Sequence, residues 1–159
     1  MKVAVTGSSG LIGTSLVSFL SKKDIVVSKI LRENPEDDDI SWKPEDGDWN
    51  SAFTGGVDGI VHLAGESVAS GKWTRKKKEK IRNSRIEGTK RLCEHILKLP
   101  TPPSVLVCAS AIGYYGNRGV EFLNEGSPRG SGFLPDVCLG WEEATESVSK
   151  AGIRVVNVR

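Results

Sequence analysis

Three glycines near the start of the chain constrain its fold more than any other feature. Gly7, Gly10 and Gly13 follow a short apolar run, Lys2 to Thr6, that reads as a buried strand. They open a segment with helical apolar spacing at Leu11, Ile12, Leu16, Phe19 and Leu20. A strand, the spacing G-x-x-G-x-x-G and a helix in succession meet the needs of a dinucleotide diphosphate. One glycine turns the chain sharply, one lets backbone approach the diphosphate, and one lets helix pack closely on sheet. The first-turn amides and the positive end of the helix then receive the anion. Gly7, Ser8, Ser9, Gly10, Leu11 and Ile12 are therefore candidate cofactor-binding residues. No Gly-Lys-Ser/Thr follows, so the loop is not a P-loop.

The rest of the chain alternates in the same way. Strands are predicted at Ile25–Leu31, Ile40–Trp42, Val57–Ala64, Val105–Ser110 and Ile153–Val158, with an acidic surface loop from Glu33 to Asp39. A long basic amphipathic helix falls within Lys72–Leu97 and is stopped by Pro100 to Pro103; a second helix is expected over Asp136–Ala151, capped by Gly152. Strand and helix in turn predict a Rossmann-type α/β fold, a doubly wound parallel sheet with right-handed crossovers. Residues 1–159 form one dinucleotide-binding domain. The chain ends at a strand's end, where such domains usually continue into substrate-binding residues, so a domain truncated before its C-terminal substrate region is expected.

The end of the second strand bears on the choice of dinucleotide. NAD binders place an acid there for the ribose 2′-hydroxyl. This chain has Ile30-Leu31-Arg32, and an arginine fork suits a 2′-phosphate. NADP(H) is the expected cofactor, with Glu33 as the one opposing neighbour.

Composition narrows the alternatives. A formal charge of +2 on 159 residues gives no general attraction to nucleic acid or membrane. No run of about 18 apolar residues is present to span a bilayer, and the start does not resemble a signal peptide. Cys93, Cys108 and Cys138 are scattered without metal spacing, which predicts buried free thiols and a reducing, cytoplasmic compartment. The basic residues from Lys72 to Arg85 point in several directions and read as a solvated face, with one or two reaching cofactor phosphates. His62 and His95 read as structural, and Trp42 and Trp49 as anchors of the acidic loop.

A wider set of segments carries a resemblance. These are Val5 to Gly13, Leu31-Arg32, Ile40-Ser41-Trp42, Leu63-Ala64-Gly65-Glu66, Trp73-Thr74, Ile81 to Arg85, Ser110 to Gly116 and Trp141-Glu142. Across them the chain resembles an atypical extended short-chain dehydrogenase/reductase, within the epimerase-family group similar to nucleotide-sugar epimerases and dehydratases. The resemblance implies that Leu63, Ala64 and Gly65 line the adenosine side of the cofactor, with Lys80 and Arg85 facing it from the next helix.

It also implies a serine after the fifth strand and a Tyr-x-x-x-Lys on the next helix, the lysine lowering the tyrosine's pKa. Ser110 fits the serine as the catalytic candidate, near the nicotinamide, although the Tyr115-Gly116 register would put Ala111 there. The second element is missing: Cys138 takes the tyrosine position and Glu142 the lysine position. Two readings follow, an NADP-dependent oxidoreductase or epimerase-like enzyme acting on a small-molecule substrate, or an NADP-binding sensor or scaffold without turnover.

Overall fold

β1 (Lys2–Thr6) is buried at Val3 to Thr6 on both faces, as the central strand of a parallel sheet must be. A computed structural model describes residues 1–33, 35–36, 39–44 and 56–159 of the chain. Beyond the glycine loop come α1 (Leu11–Ser21), β2 (Val26–Leu31), β3 (Ile40–Ser41) and β4 (Gly59–His62). They are followed by α2 (Arg75–Lys98), β5 (Val105–Ala109), α3 (Phe133–Glu143), α4 (Glu146–Lys150) and β6 (Arg154–Val158). The strands form one six-stranded sheet in the order β3-β2-β1-β4-β5-β6, every neighbouring pair parallel. This is the doubly wound Rossmann arrangement, and its order reverses direction between β1 and β4, where ligands bind in such sheets.

Right-handed crossovers put α1 on one face of the sheet and α2, α3 and α4 on the other. On the α2 side, Ala4, Ile30, Ile60, Leu106 and Ile153 pack with Leu92, Cys93, Ile96 and Val148 into one core. Trp42 joins that core and meets His95 edge-on at 6.4 Å, so this tryptophan anchors the sheet edge; Trp49 lies outside the described residues. All three cysteines are free and buried. Among the described residues no helix is long and apolar enough to cross a membrane.

One expected helix divides in two. The Thr145 hydroxyl donates to the Glu142 carbonyl at 2.6 Å, and the Thr145 amide bonds the same carbonyl at 3.1 Å. That carbonyl is withdrawn from the α-helical ladder, so α3 ends at Glu143 and α4 restarts at Glu146. At its other end α3 begins at Phe133, earlier than the expected start; Pro135 sits in the first turn, where its missing N–H costs nothing. Upstream, Thr74 caps α2 by accepting from the Lys77 amide at 3.2 Å.

Candidate functional site

The glycine loop sits at the carboxyl end of β1 with each glycine doing a separate job. Gly7 has φ +66°, and a Cβ there would lie 2.8 Å from backbone atoms of Leu63 and Ala64. Gly10 is the N-cap of α1 and donates its amide to the Gly7 carbonyl at 3.0 Å. Gly13 is buried in the first turn, where a Cβ would overlap the Gly7 carbonyl oxygen and lie 2.7 Å from Ser8 Cα. The loop is thereby pulled tightly against α1, and its residues Gly7 to Gly10 line a cleft.

That cleft, about 1080 Å³, is walled by Thr6 to Gly10, Ile30 to Glu33 and His62 to Glu66, with Lys76, Lys80, Asn83 and Arg91 across from them on α2. It lies at the β1–β4 switch point. Its floor is a hydrogen-bonded relay. The Thr6 hydroxyl accepts from the Leu63 amide at 3.1 Å and the Ala64 amide at 3.2 Å. Its own proton therefore goes to His62 Nδ1, 2.7 Å away, and His62 Nε2 donates to Thr89 Oγ1 at 3.0 Å. Burial holds the His62 pKa down at about 4, so the ring is neutral and structural.

The chemistry of the cleft fits a dinucleotide. Ser8 Oγ is buried in the glycine loop without a hydrogen-bond partner, between Gly7 and Gly13, where backbone approaches too closely to admit a Cβ. Arg32 stands exposed on the rim at the end of β2. The Glu66 carboxyl is held below its usual range, first by the Lys77 hydrogen bond at 2.6 Å, then by the charges of Lys77, Lys80 and Arg32. Arg32 and Lys80 thus both line the cleft and both act on the Glu66 carboxylate.

Other candidates are placed differently. Leu11 and Ile12 are strongly exposed beyond the rim. Arg85 turns away from the cleft: its Nη1 donates to the carbonyls of Glu66 at 3.0 Å and Ile81 at 3.3 Å, and its guanidinium lies 5.0 Å from the Trp141 ring. A Cβ on Gly65 would sit 3.3 Å from that guanidinium, so Gly65 makes room for Arg85 as well as for the cleft. The basic residues of α2 also sort more cleanly than expected. Lys76, Lys80 and Asn83 share the cleft face, while Arg75, Lys78 and Arg82, at i, i+3 and i+7, share another.

Ser110 lies outside the cleft wall, in a cluster between β5, β6 and α3. The Ser110 hydroxyl meets α3, donating to Glu142 Oε1 at 2.6 Å. Arg159 clamps the same carboxylate with both arms, Nε to Oε1 at 2.8 Å and Nη2 to Oε2 at 2.7 Å. The Arg159 guanidinium also donates to the Tyr115 hydroxyl at 3.2 Å and lies 3.5 Å from the Tyr114 ring centre. Burial raises the Glu142 pKa, but the bonds from Arg159 and Ser110 more than offset it, leaving the carboxyl below its usual value. Cys138 does have cations near it, Arg85 and Arg159, although the sequence shows none flanking it closely. Desolvation and the Glu142 charge nevertheless prevail and keep its thiol protonated.

This clamp has a measurable worth. Both side chains of the pair are less than one-fifth exposed, at 18% and 15%, so Arg159→Ala strands a poorly solvated carboxylate. Urea denaturation at pH 7 should show a loss of roughly 1–3 kcal/mol, below the cost of breaking a fully buried pair. Because the native carboxyl titrates below its unfolded value, its contribution is present above the unfolded pKa and lost as pH falls through the native one. The gap between wild type and variant should therefore narrow in acid.

Comparison with known proteins agrees with this geometry. The family model of the NAD dependent epimerase/dehydratase family matches residues 3–131. An epimerase family protein of Mycobacterium bovis is 37% identical over 158 residues, which cover 99% of this chain and 52% of that one. Among solved structures, a nucleoside-diphosphate sugar epimerase from Corynebacterium glutamicum superposes with a TM-score of 0.85 at 38% identity, covering 100% of this chain and 33% of that chain. The human epimerase family protein SDR39U1, in a crystal structure with NADPH, superposes with a TM-score of 0.84 at 30% identity, covering 100% of this chain and 53% of that chain. The chain spans about half the length of the curated relatives it matches.

Proposed function

Since the chain belongs to the NAD dependent epimerase/dehydratase family, we propose that it is the NADP(H)-binding domain of an epimerase-family oxidoreductase that acts on a small-molecule substrate. The observation that carries this reading is the cleft itself. A tight glycine loop with an unpartnered, buried Ser8 hydroxyl lines a cleft on whose walls Arg32 and Lys80 supply positive charge. The NADPH found with the human relative supports the choice of phosphorylated dinucleotide. In this reading the amides of Ser8, Ser9, Leu11 and Ile12 hold the diphosphate, Leu63, Ala64 and Gly65 flank the adenosine, and Arg32 with Lys80 takes the 2′-phosphate. When bound, the cofactor supplies hydride exchange; the protein binds and orients it. The three buried free cysteines fit a reducing compartment such as the cytoplasm.

Ser110 is the candidate to meet substrate, but its surroundings favour a second reading. The Ser110 proton is committed to Glu142, the Cys138 thiol stays protonated, and the cation Arg159 is clamped on Glu142. A serine so engaged is a poor donor to a substrate oxygen, which suits an NADP-binding sensor or scaffold without turnover.

Calorimetric titration with NADPH and NADH tests the cofactor reading. NADPH should bind tightly and NADH weakly, and Arg32→Ala should cost NADPH about 1–3 kcal/mol while leaving NADH unchanged. Equal affinity for both dinucleotides in the wild type would reject the 2′-phosphate role of Arg32. Carbonyl compounds offered to the NADPH-loaded protein separate the two readings of turnover: oxidation of the cofactor supports the enzyme, and none across a broad panel the sensor.

A further inference from the structure

A second recess lies beside the cofactor cleft, on the other face of α2. It is an open recess of about 380 Å³ between Trp73, just before that helix, and Phe133, the first residue of α3. Both helices begin at the carboxyl end of the sheet, where ligands gather in this architecture. The two rings meet nearly at right angles, centres 5.7 Å apart and planes at 76°. Trp73 is held in place by donating its indole N–H to the Val68 carbonyl at 3.0 Å, yet 40% of the residue remains exposed. An aromatic corner that is fixed and still wet offers a stacking surface for a planar ligand.

Charge singles out which planar ligand. Arg75, Lys78 and Arg82 line the recess from successive turns of α2, against one carboxylate, Glu79. Glu79 is bonded to Arg75 Nε at 3.2 Å, and Lys78 Nζ lies 5.5 Å from the centre of the Phe133 ring. Two positive charges are left uncompensated beside an aromatic wall. A phosphate monoester carries roughly −1.5 to −2 charges at neutral pH, and arginine forks match its oxygens. We infer that this recess binds an aromatic phosphate monoester, the ring on Trp73 and Phe133 and the phosphate on Arg75, Lys78 and Arg82. The site stands apart from the dinucleotide cleft, touching it only through Glu79, which lines both.

The test uses phenyl phosphate as the probe, the full 159-residue chain labelled with nitrogen-15, and low ionic strength, because exposed charges are screened by salt. The indole N–H resonance of Trp73, identified by its loss in Trp73→Phe, should shift to saturation. Inorganic phosphate alone and phenol alone should each bind at least tenfold more weakly than the ester. The double variant Arg75→Ala/Arg82→Ala, confined to exposed side chains, should lose at least tenfold in affinity with an unchanged circular dichroism spectrum. Its NADPH affinity should stay within twofold of wild type, so failure of the recess and failure of the cofactor cleft register separately. A Trp73 resonance that does not move, an ester bound equally by the double variant, or inorganic phosphate matching the ester would each overturn the assignment.

Discussion

Gly13→Ala is expected to destabilise the protein by about 3 kcal/mol, the upper end of what overpacking costs, and to abolish measurable NADPH binding. The reason is where the new methyl would go. It would overlap the Gly7 carbonyl oxygen and crowd Ser8 Cα at 2.7 Å, and both are backbone, with no side chain to swing aside. Relief requires α1 to lift off the loop, which moves the amides that would hold the diphosphate. Gly7→Ala should behave similarly, since φ +66° disfavours any Cβ and the contacts with Leu63 and Ala64 are at 2.8 Å. Gly10→Ala is the informative contrast. Its Cβ would meet only the Gly7 carbonyl oxygen, at 3.3 Å, so the fold should lose under about 1 kcal/mol. The methyl would still stand at the mouth of the anion site and weaken cofactor binding. Urea denaturation and NADPH calorimetry on the three variants check the order. Equal stability loss at Gly10 and Gly13 would contradict the separate roles of the glycines.

This loop was legible in the sequence because its constraint is local. A strand, three glycines and an amphipathic helix are read along about 20 residues, and the Arg32 rim lies at the end of the next strand. The sheet type was legible for a related reason: alternation of strand and helix leaves little besides a parallel, doubly wound sheet. What escaped was non-local. Glu142 stands in the sequence as a misplaced lysine substitute; β6 delivers Arg159 to it, from 17 residues further along. Arg85 carries its charge on the expected helix, but nothing in the local pattern tells whether it faces a ligand or the Glu66 and Ile81 carbonyls. The break at Thr145 had a visible signal, a hydroxyl residue inside a helical run that can compete for a backbone carbonyl. Helical spacing is likewise enough by itself to separate Arg75, Lys78 and Arg82 from Lys76 and Lys80.

Acid should act on the protein through His62. The ring is fully buried between Thr6 and Thr89, and desolvation lowers its pKa from 6.5 to about 4. In the unfolded chain it binds a proton near pH 6.5, while the folded ring resists until about pH 4. Its contribution to stability is therefore complete above pH 6.5 and lost as pH falls toward 4, below which both states are protonated and the loss levels off. The total is on the order of 3 kcal/mol, from about 1.4 kcal/mol per pKa unit. The functional consequence follows from position. Thr6 Oγ1 accepts two amides from the end of β4 only because its own proton has somewhere to go, namely His62 Nδ1. A protonated ring cannot accept it, so acid would loosen the Leu63–Ala64 wall along with the fold. Measured as denaturation free energy against pH, the wild type should fall more steeply than His62→Asn between pH 6.5 and 4, with the variant less stable at pH 7. NADPH affinity should decline over the same interval in the wild type. Parallel stability profiles for wild type and variant would mean that the buried imidazole is not what couples this cleft to acid.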